Sequence, residues 1–311
     1  MARPGTPAPV APPRTAAAAS PAQAARTAAA APPRRLWRLL AVALILLAGA
    51  ALRPQPAHAT GAAGTGAGAT AGRKGVSVTS VTGASQALAD VGAHWYYDWA
   101  TTPGGVTAPA GTEFVPMIWG AASVTDAGLA QARQNGTELL GFNEPDLSGQ
   151  AQMSVQQALD LWPRLESTGL RLGAPAVAYG GDTPGGWLDQ FMSGAAARGY
   201  RVDFIPLHWY GGDFSSAAAG ELRGYLQAVY DRYHKPIWLT EYALTDFSGS
   251  TPRYPSAQQQ ADFVRSSAAM LDTLPFVEKS AWFTLSTGTA PTGLYTGTVP
   301  NSSGVAYRSL P

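Results

Sequence analysis

From residue 74 onward the chain alternates two kinds of segment. The first kind is short, apolar and rich in β-branched or aromatic residues: GVSVTS (75–80), AHWYYDW (93–99), TEFVPMIW (112–119), ELLGFNE (138–144), RLGAPAVA (171–178), VDFIPLHWY (202–210), PIWLTEYA (236–243) and KSAWFTL (279–285). Most are near-continuous apolar runs, the pattern of parallel strands buried on both faces. The second kind is longer and rich in Ala and Gln. DAGLAQARQN (126–135), the stretch 154–168 opening on a Ser cap and holding Pro163, 185–199, 217–234 and 256–273 all read as helices. Strand and helix in repeated alternation, with eight strands, predict a parallel sheet closed on itself, a (β/α)8 TIM barrel. An open doubly wound sheet is the alternative, weakened because no Gly-rich phosphate loop follows any strand. The end of the chain is short for a last loop and helix, and GVAYRSL (304–310) reads as a stunted eighth helix.

The first seventy residues follow a different pattern. Residues 1–35 are mostly Ala, Pro, Arg and Thr, a composition too poor in apolar residues to fold, and read as a disordered leader. Residues 36–59 read as a signal segment. Arg34, Arg35 and Arg38 give a positive flank, the apolar stretch 39–52 has the length of a signal-peptide core, and AHA (57–59) offers a cleavage site after Ala59. An uncleaved signal anchor is the other reading. Residues 60–72 are a Gly/Ala/Thr linker. The barrel domain is therefore expected over 73–311, secreted to the outside or the cell wall, with no membrane contact in the mature form, and monomeric.

Composition narrows the chemistry. With a net charge of +1 the chain has no field to gather nucleic acid. It has no cysteine, which excludes disulfides, thiolate metal sites and cysteine nucleophiles. No His/Asp/Glu group has metal-ligand spacing, so neither metal nor cofactor is expected. Nine tryptophans, twelve tyrosines and nine phenylalanines lie almost entirely after residue 90, which suggests a surface that stacks on flat molecules.

In a barrel of this type the chemistry sits at the C-terminal ends of the strands. Those ends carry His94 to Trp99 on the second strand, Trp119 on the third, Asn143-Glu144-Pro145-Asp146 on the fourth, His208-Trp209-Tyr210 on the sixth, Thr240-Glu241-Tyr242 on the seventh and Trp282 on the eighth. Two glutamates on opposite arcs of one mouth suit glycoside hydrolysis, where one carboxyl protonates the departing oxygen and the other attacks or stabilises the anomeric carbon. An Asn beside the acid suits a sugar 2-hydroxyl, and aromatic rings suit the apolar faces of sugars. The candidate substrate-binding residues are Asn143, Trp95, Tyr97, Trp119, His208, Trp209, Tyr210 and Trp282. Asp146 reads equally as a sugar contact or as support for the turn after Pro145. On strict in–out alternation, Trp238 and Glu241 fall on opposite faces of the seventh strand, which places Trp238 against the helices. Glu138, at the barrel bottom, reads as a solvated charge.

LLGFNEPD and WLTEYAL, together with HWYYDW, FVPMIWG and IPLHWYG, resemble glycoside hydrolase family 128, a set of β-1,3-glucanases within the clan A retaining glycosidases. The resemblance spans about residues 74–285. It implies that Glu144 is the general acid/base, Glu241 the nucleophile and Asn143 the partner of the 2-hydroxyl. It further implies that Tyr210 hydrogen-bonds the nucleophile and that Trp282 floors the central sugar site. The expected reaction is retaining hydrolysis of β-1,3-glucan by double displacement, with internal cleavage and hydrogen bonds holding the nucleophile's pKa low. The carboxyl groups should lie about 5–5.5 Å apart. A clan A hydrolase of mannan, β-1,4-glucan or galactan, and a non-catalytic glycan-binding protein on the same fold, are the alternatives.

Overall fold

The computed structural model describes residues 72–311. The leader, the signal segment and all but the last residue of the linker lie outside the described residues. Chain order is β1 (Lys74–Ser77), α1 (Ala84–Val91), β2 (Trp95–Tyr97), β3 (Glu113–Phe114), α2 (Asp126–Asn135), β4 (Glu138–Leu139), α3 (Val155–Glu166), β5 (Arg171–Leu172), α4 (Trp187–Ala197), β6 (Ile205–Gly211), α5 (Ala218–Tyr233), β7 (Ile237–Leu244), α6 (Ala257–Leu271), β8 (Val277–Trp282), a β9–β10 hairpin (Tyr295–Thr296, Val299–Pro300) and α7 (Ser302–Arg308).

Six strands pair in the order β3-β2-β1-β8-β7-β6, and β4 pairs with β5. All of these ladders are parallel. Single parallel bridges Met117–Leu140, Asn143–Ala176 and Gly173–Phe204 join β3 to β4, extend β4–β5 and join β5 to β6, so the ring closes. The regular runs β3, β4 and β5 are only two residues long, because Pro116 and Pro175 have no N–H to give the ladder. Gly141 and Gly173 there also let neighbouring chains approach closely: a Cβ on Gly141 would stand 2.8 Å from the Gly173 oxygen.

Two buried layers result. Inside the ring lie Trp95, Tyr97, Val115, Met117, Leu140, Phe204, Trp238 and Ala281. The larger layer, between strands and helices, holds Tyr96, Phe142, Trp162, Phe191, Tyr242 and Trp282 among others. Trp238 therefore points into the ring, not toward the helices. The cause is a bulge. Leu207 pairs with Leu239, but the next residue, His208, pairs with Glu241, leaving Thr240 as an extra residue in β7. One added residue puts Trp238 and Glu241 on the same side.

The ring's lower end is closed by charge. Lys279 pairs with Glu113 and lies 3.4 Å from Glu138, while Arg171 reaches Glu138 at 3.7 Å and Glu278 at 2.6 Å. Lys279 also sits 4.4 Å above the Trp238 ring. Glu138 is thus a half-buried ion-pair member and not a solvated charge. Burial pushes its pKa up to about 7. The short α7 fills the place of the eighth helix, and its Tyr307 hydroxyl donates to the Gly75 carbonyl at 2.5 Å.

Candidate active site

Glu144 stands just past the Asn143–Ala176 bridge, where its N–H donates to the Ala176 carbonyl at 2.7 Å. Its φ of 42° lies in the left-handed region. A non-glycine residue held there carries about 1–3 kcal/mol of strain and persists only where its surroundings over-determine it. Here the surroundings are a folded-back loop: Leu147 N–H donates to the Glu144 carbonyl, Ala151 N–H to Asn143 and Met153 N–H to Pro145. Asp146 adds to this frame. Its Oδ1 accepts from the Ala178 N–H at 2.9 Å, tying the loop after β4 to the loop after β5. The open reading of Asp146 thereby resolves toward structural support.

Glu241 arrives on the opposite arc, after the Thr240 bulge. Tyr210 O–H donates to its Oε2 at 2.6 Å, Trp99 Nε1–H donates to its Oε1 at 2.9 Å, and Tyr97 O–H approaches that oxygen at 3.3 Å while also donating to the Thr240 carbonyl at 3.0 Å. His208 bridges the two acids. Its Nδ1 lies 2.9 Å from Glu144 Oε1 and 3.6 Å from Glu241 Oε2. One carboxylate oxygen of each glutamate and a ring nitrogen of His208 fall within 4.8 Å of one another. That spacing is near the short carboxylate separation of retaining glycosidases, and below the roughly 6.5–9.5 Å that inversion needs to admit a water.

The trio is buried, and its electrostatics follow from that. Burial pushes the Glu241 carboxyl above its ordinary range; the His208 charge pulls it back, the Glu144 charge adds to the rise, and the bonds from Tyr210 and Trp99 oppose it. The hydrogen bonds moderate this pKa but do not hold it low. For His208, burial disfavours the cation, yet Glu241, Glu144 and Asp146 outweigh burial and raise its pKa. Burial, with the nearby carboxylates, keeps the Tyr97 and Tyr210 hydroxyls protonated as donors. Two carboxylates and a histidine at this range also form a set able to ligate a cation, a grouping that sequence spacing did not reveal. Tyr210 and Trp99 each donate one hydrogen bond to a Glu241 oxygen of this set.

Of the residues expected at the site, Asn143, His208, Tyr97 and Tyr210 are brought to the acids, and Trp119 sits beside them at the mouth, its carbonyl accepting from the Asn143 N–H at 2.9 Å. Asn143 Nδ2 donates to Gln150 Oε1 at 3.3 Å, and its buried Oδ1 has no partner. The other three are placed elsewhere. Trp95 lies one layer below the mouth inside the ring, its Nε1–H donating to the Arg73 carbonyl at 3.0 Å. Trp209 points outward and stacks on Phe263 of α6 at 5.6 Å. Trp282 also points outward, packed on Tyr242 and donating to the Thr292 carbonyl at 2.9 Å. Strand alternation explains the last two: His208 and Tyr210 face inward, so Trp209 cannot, and Ala281 faces inward, so the next inward residue is Phe283.

Two aromatics at the site escaped the sequence reading. Phe283 meets the Trp99 ring edge-on at 6.0 Å and the Tyr210 ring at 5.5 Å, taking the place expected of Trp282. Trp99 has φ 59° and donates directly to Glu241. The sequence holds a signal for it, since Trp95, Tyr97 and Trp99 fall at every second residue, but the strand ends at Tyr97, beyond which alternation no longer assigns a face.

Comparison with known proteins places this geometry. Residues 75–307 match the family model described as "Glycosyl hydrolase catalytic core". A solved endo-β-1,3-glucanase of glycoside hydrolase family 128, subgroup I, from Amycolatopsis mediterranei, in complex with laminaritriose, is 74% identical with a TM-score of 0.76, covering 76% of this chain and 99% of that one. A subgroup III curdlan-specific exo-β-1,3-glucanase from Blastomyces gilchristii is 27% identical with a TM-score of 0.64, covering 78% of this chain and all of that one. Among curated proteins, alkali-sensitive linkage protein 1 of Schizosaccharomyces pombe is 33% identical over 208 residues, 65% of this chain. The chain spans only about a third of that relative's length, 36%. The barrel, the paired glutamates and these similarities agree: the chain belongs to the glycosyl hydrolase catalytic-core family and, within it, to glycoside hydrolase family 128.

Proposed function

We propose that this protein is a secreted endo-β-1,3-glucanase acting with retention of configuration. The observation that carries the reaction type is the Glu144–His208–Glu241 trio, with its carboxylate oxygens within 4.8 Å. The substrate class rests on the 74% identical enzyme, described as an endo-β-1,3-glucanase and solved with laminaritriose.

In the first step a Glu241 oxygen attacks the anomeric carbon as the glycosidic C–O bond breaks. The proton that the leaving oxygen receives comes from the Glu144–His208 pair, joined at 2.9 Å. Tyr210 and Trp99 hold the attacking carboxylate in line, and both remain bonded to it as its charge passes into the new ester. In the second step Glu144 takes a proton from water, the water oxygen attacks the anomeric carbon, and Glu241 departs as carboxylate. The partnerless Asn143 Oδ1 accepts the 2-hydroxyl of the reacting sugar. Phe283 and Trp99 form the aromatic wall of that site. Export through the signal segment would place the enzyme where polysaccharide substrate is met.

Digestion of laminarin tests the reading. A ladder of laminari-oligosaccharides is expected early in the reaction. Release of glucose alone would overturn internal cleavage, and no release from any β-1,3-glucan would overturn the substrate class.

A further inference from the structure

The Glu241 carboxylate is held by a tyrosine, and that tyrosine is itself held. Tyr210, near the end of β6, donates to Glu241 Oε2 at 2.6 Å. A phenol reaches its partner along the ring axis. Turning the ring about that axis leaves the hydroxyl in place, whereas tilting the ring carries it away. Packing on the ring opposes that tilt. Two rings meet Tyr210 edge-on, both at 88°: Phe283 at 5.5 Å and Phe247 at 5.4 Å. Such edge-to-face pairs attract beyond the area they bury. Phe283 directly follows β8, and its N–H donates to the Tyr242 carbonyl at 3.2 Å, so the sheet positions it. Phe247 lies beyond the end of β7, outside the sheet, and needs support of its own.

That support is a clasp. Asp246 and Arg253 bridge antiparallel, each N–H donating to the other's carbonyl at 2.9 Å, which closes the loop 246–253. Their side chains form an ion pair, and the Ser248 N–H donates to Asp246 Oδ1 at 2.8 Å. The bonds from Ser248 and the Arg253 guanidinium bring the Asp246 carboxyl down to about 2, so the clasp stays charged. The clasp is anchored on two elements. Gln260 of α6 accepts from the Leu244 N–H at 3.1 Å and donates to the Leu244 carbonyl at 3.2 Å. Thr245 N–H donates to the Gly211 carbonyl at 3.0 Å, and a Cβ on Gly212 would stand 3.4 Å from Asp246 Oδ1. The clasp therefore sits on the end of the strand that carries Tyr210.

A group that must stay in line with a reacting carboxylate depends on the packing behind it. A misplacement of about 1 Å can cost on the order of 10²-fold in rate. We infer that Phe247 is a positioning residue: held by the Asp246–Arg253 clasp, it fixes the tilt of Tyr210 and so the hydrogen bond that Tyr210 gives Glu241. The inference deepens the retaining-hydrolase reading and rests on Glu241 as its nucleophile.

A double-mutant cycle on the full chain, with laminarin as substrate, tests it. Phe247→Ala should lower kcat about 3- to 10-fold, the loss expected of one edge-on ring contact, with KM within twofold of the parent. Phe247→Tyr keeps a ring and should keep kcat within twofold. Arg253→Met breaks the ion pair but leaves the ring, and should lower kcat less than Phe247→Ala does. In a Tyr210→Phe background there is no hydroxyl left to aim, so Phe247→Ala should change kcat less than twofold. The acid limb of the pH–rate profile should move up in Phe247→Ala, as in Tyr210→Phe. Glu241 faces the ionisable His208 and Glu144 and the donors Tyr97, Trp99 and Tyr210, and only the Tyr210 bond is altered. Unchanged kcat in Phe247→Ala would overturn the inference. So would a rise in KM alone, which makes Phe247 a sugar contact, or an undiminished loss in the Tyr210→Phe background, which makes it general packing. Activity lost in Glu241→Gln but unmoved in Phe247→Ala sinks only the positioning role; full activity in Glu241→Gln sinks the reading beneath it.

Discussion

The two ends of the barrel each hold a pair of glutamates, and they use them in opposite ways. At the lower end Glu113 and Glu138 share the cation of Lys279, with Arg171 alongside. At the mouth Glu144 and Glu241 share His208, and the remaining bonds to Glu241 come from the neutral donors Tyr210 and Trp99. A lysine holds its carboxylates by ion pairing and offers them no proton to pass on near neutral pH. A histidine and neutral donors hold carboxylates in place while leaving their charge and protons available. On the proposed reading, what makes the mouth pair catalytic is the kind of group that links it, not proximity alone.

Removing the central group at each end should separate chemistry from stability. The largest effect is at the mouth. Glu241→Gln should lower kcat on laminarin on the order of 10⁴-fold or more, with a thermal midpoint equal to or above the parent's, because a buried charge has been relieved. Retained activity would reassign the nucleophile. At the lower end the pattern inverts. Lys279→Met leaves two half-buried carboxylates without their cation and should cost about 3–5 kcal/mol of stability in denaturant titration. At a temperature where the variant is folded, kcat should be close to the parent's.

A smaller effect is expected of Trp99→Phe, which keeps the ring and removes one donor to Glu241. A hydrogen bond to a charged group is worth about 1.5–3 kcal/mol, so kcat should fall roughly 10- to 100-fold. KM should hold, and the acid limb of the pH–rate profile should move up, because a bond that favoured ionised Glu241 is gone. A change confined to KM would make Trp99 a sugar contact only.

The smallest effect is pH-dependent stability at the lower end. Glu138 is raised from 4.5 to about 7, so between those values the folded chain keeps a proton that the unfolded chain has released. Its contribution therefore declines as pH rises through that window. Glu113, shifted down mainly by its bonds to Glu138 and Lys279 against burial, works oppositely and loses its contribution on acidification below its ordinary value of 4.5. Glu138→Gln should flatten the decline in thermal midpoint between about pH 5 and 8. An unaltered slope would show that Glu138 carries no excess proton.

Much of this contrast was legible in the amino-acid order. Eight apolar runs ending in polar residues marked both the ring and its working end, and Asn143-Glu144 and Thr240-Glu241 stood out because a strand buried on both faces has no other reason to finish on a carboxylate. Which side chain faced inward was less legible. Alternation is a parity rule, and the single extra residue Thr240 reversed it for Trp238. Parity also decides between Trp282 and Phe283, and only the inward position of Ala281 fixes it. Helix α1 leaves little signal in the sequence because it is eight residues long, begins and ends at left-handed glycines, Gly83 and Gly92, and has no side-chain cap. The ion pairs of the lower end join residues up to 166 positions apart, as in Glu113 and Lys279, and no local pattern announces them.

The central claim is that Glu144 and Glu241 act as acid/base and nucleophile in a double displacement. Proton NMR of laminarin hydrolysis, followed before mutarotation, tests it most directly. The β-anomer should appear first at the new reducing end, with the α-anomer growing in only by mutarotation. An α-anomer formed first would mean a single displacement by water and would contradict the roles assigned to both glutamates.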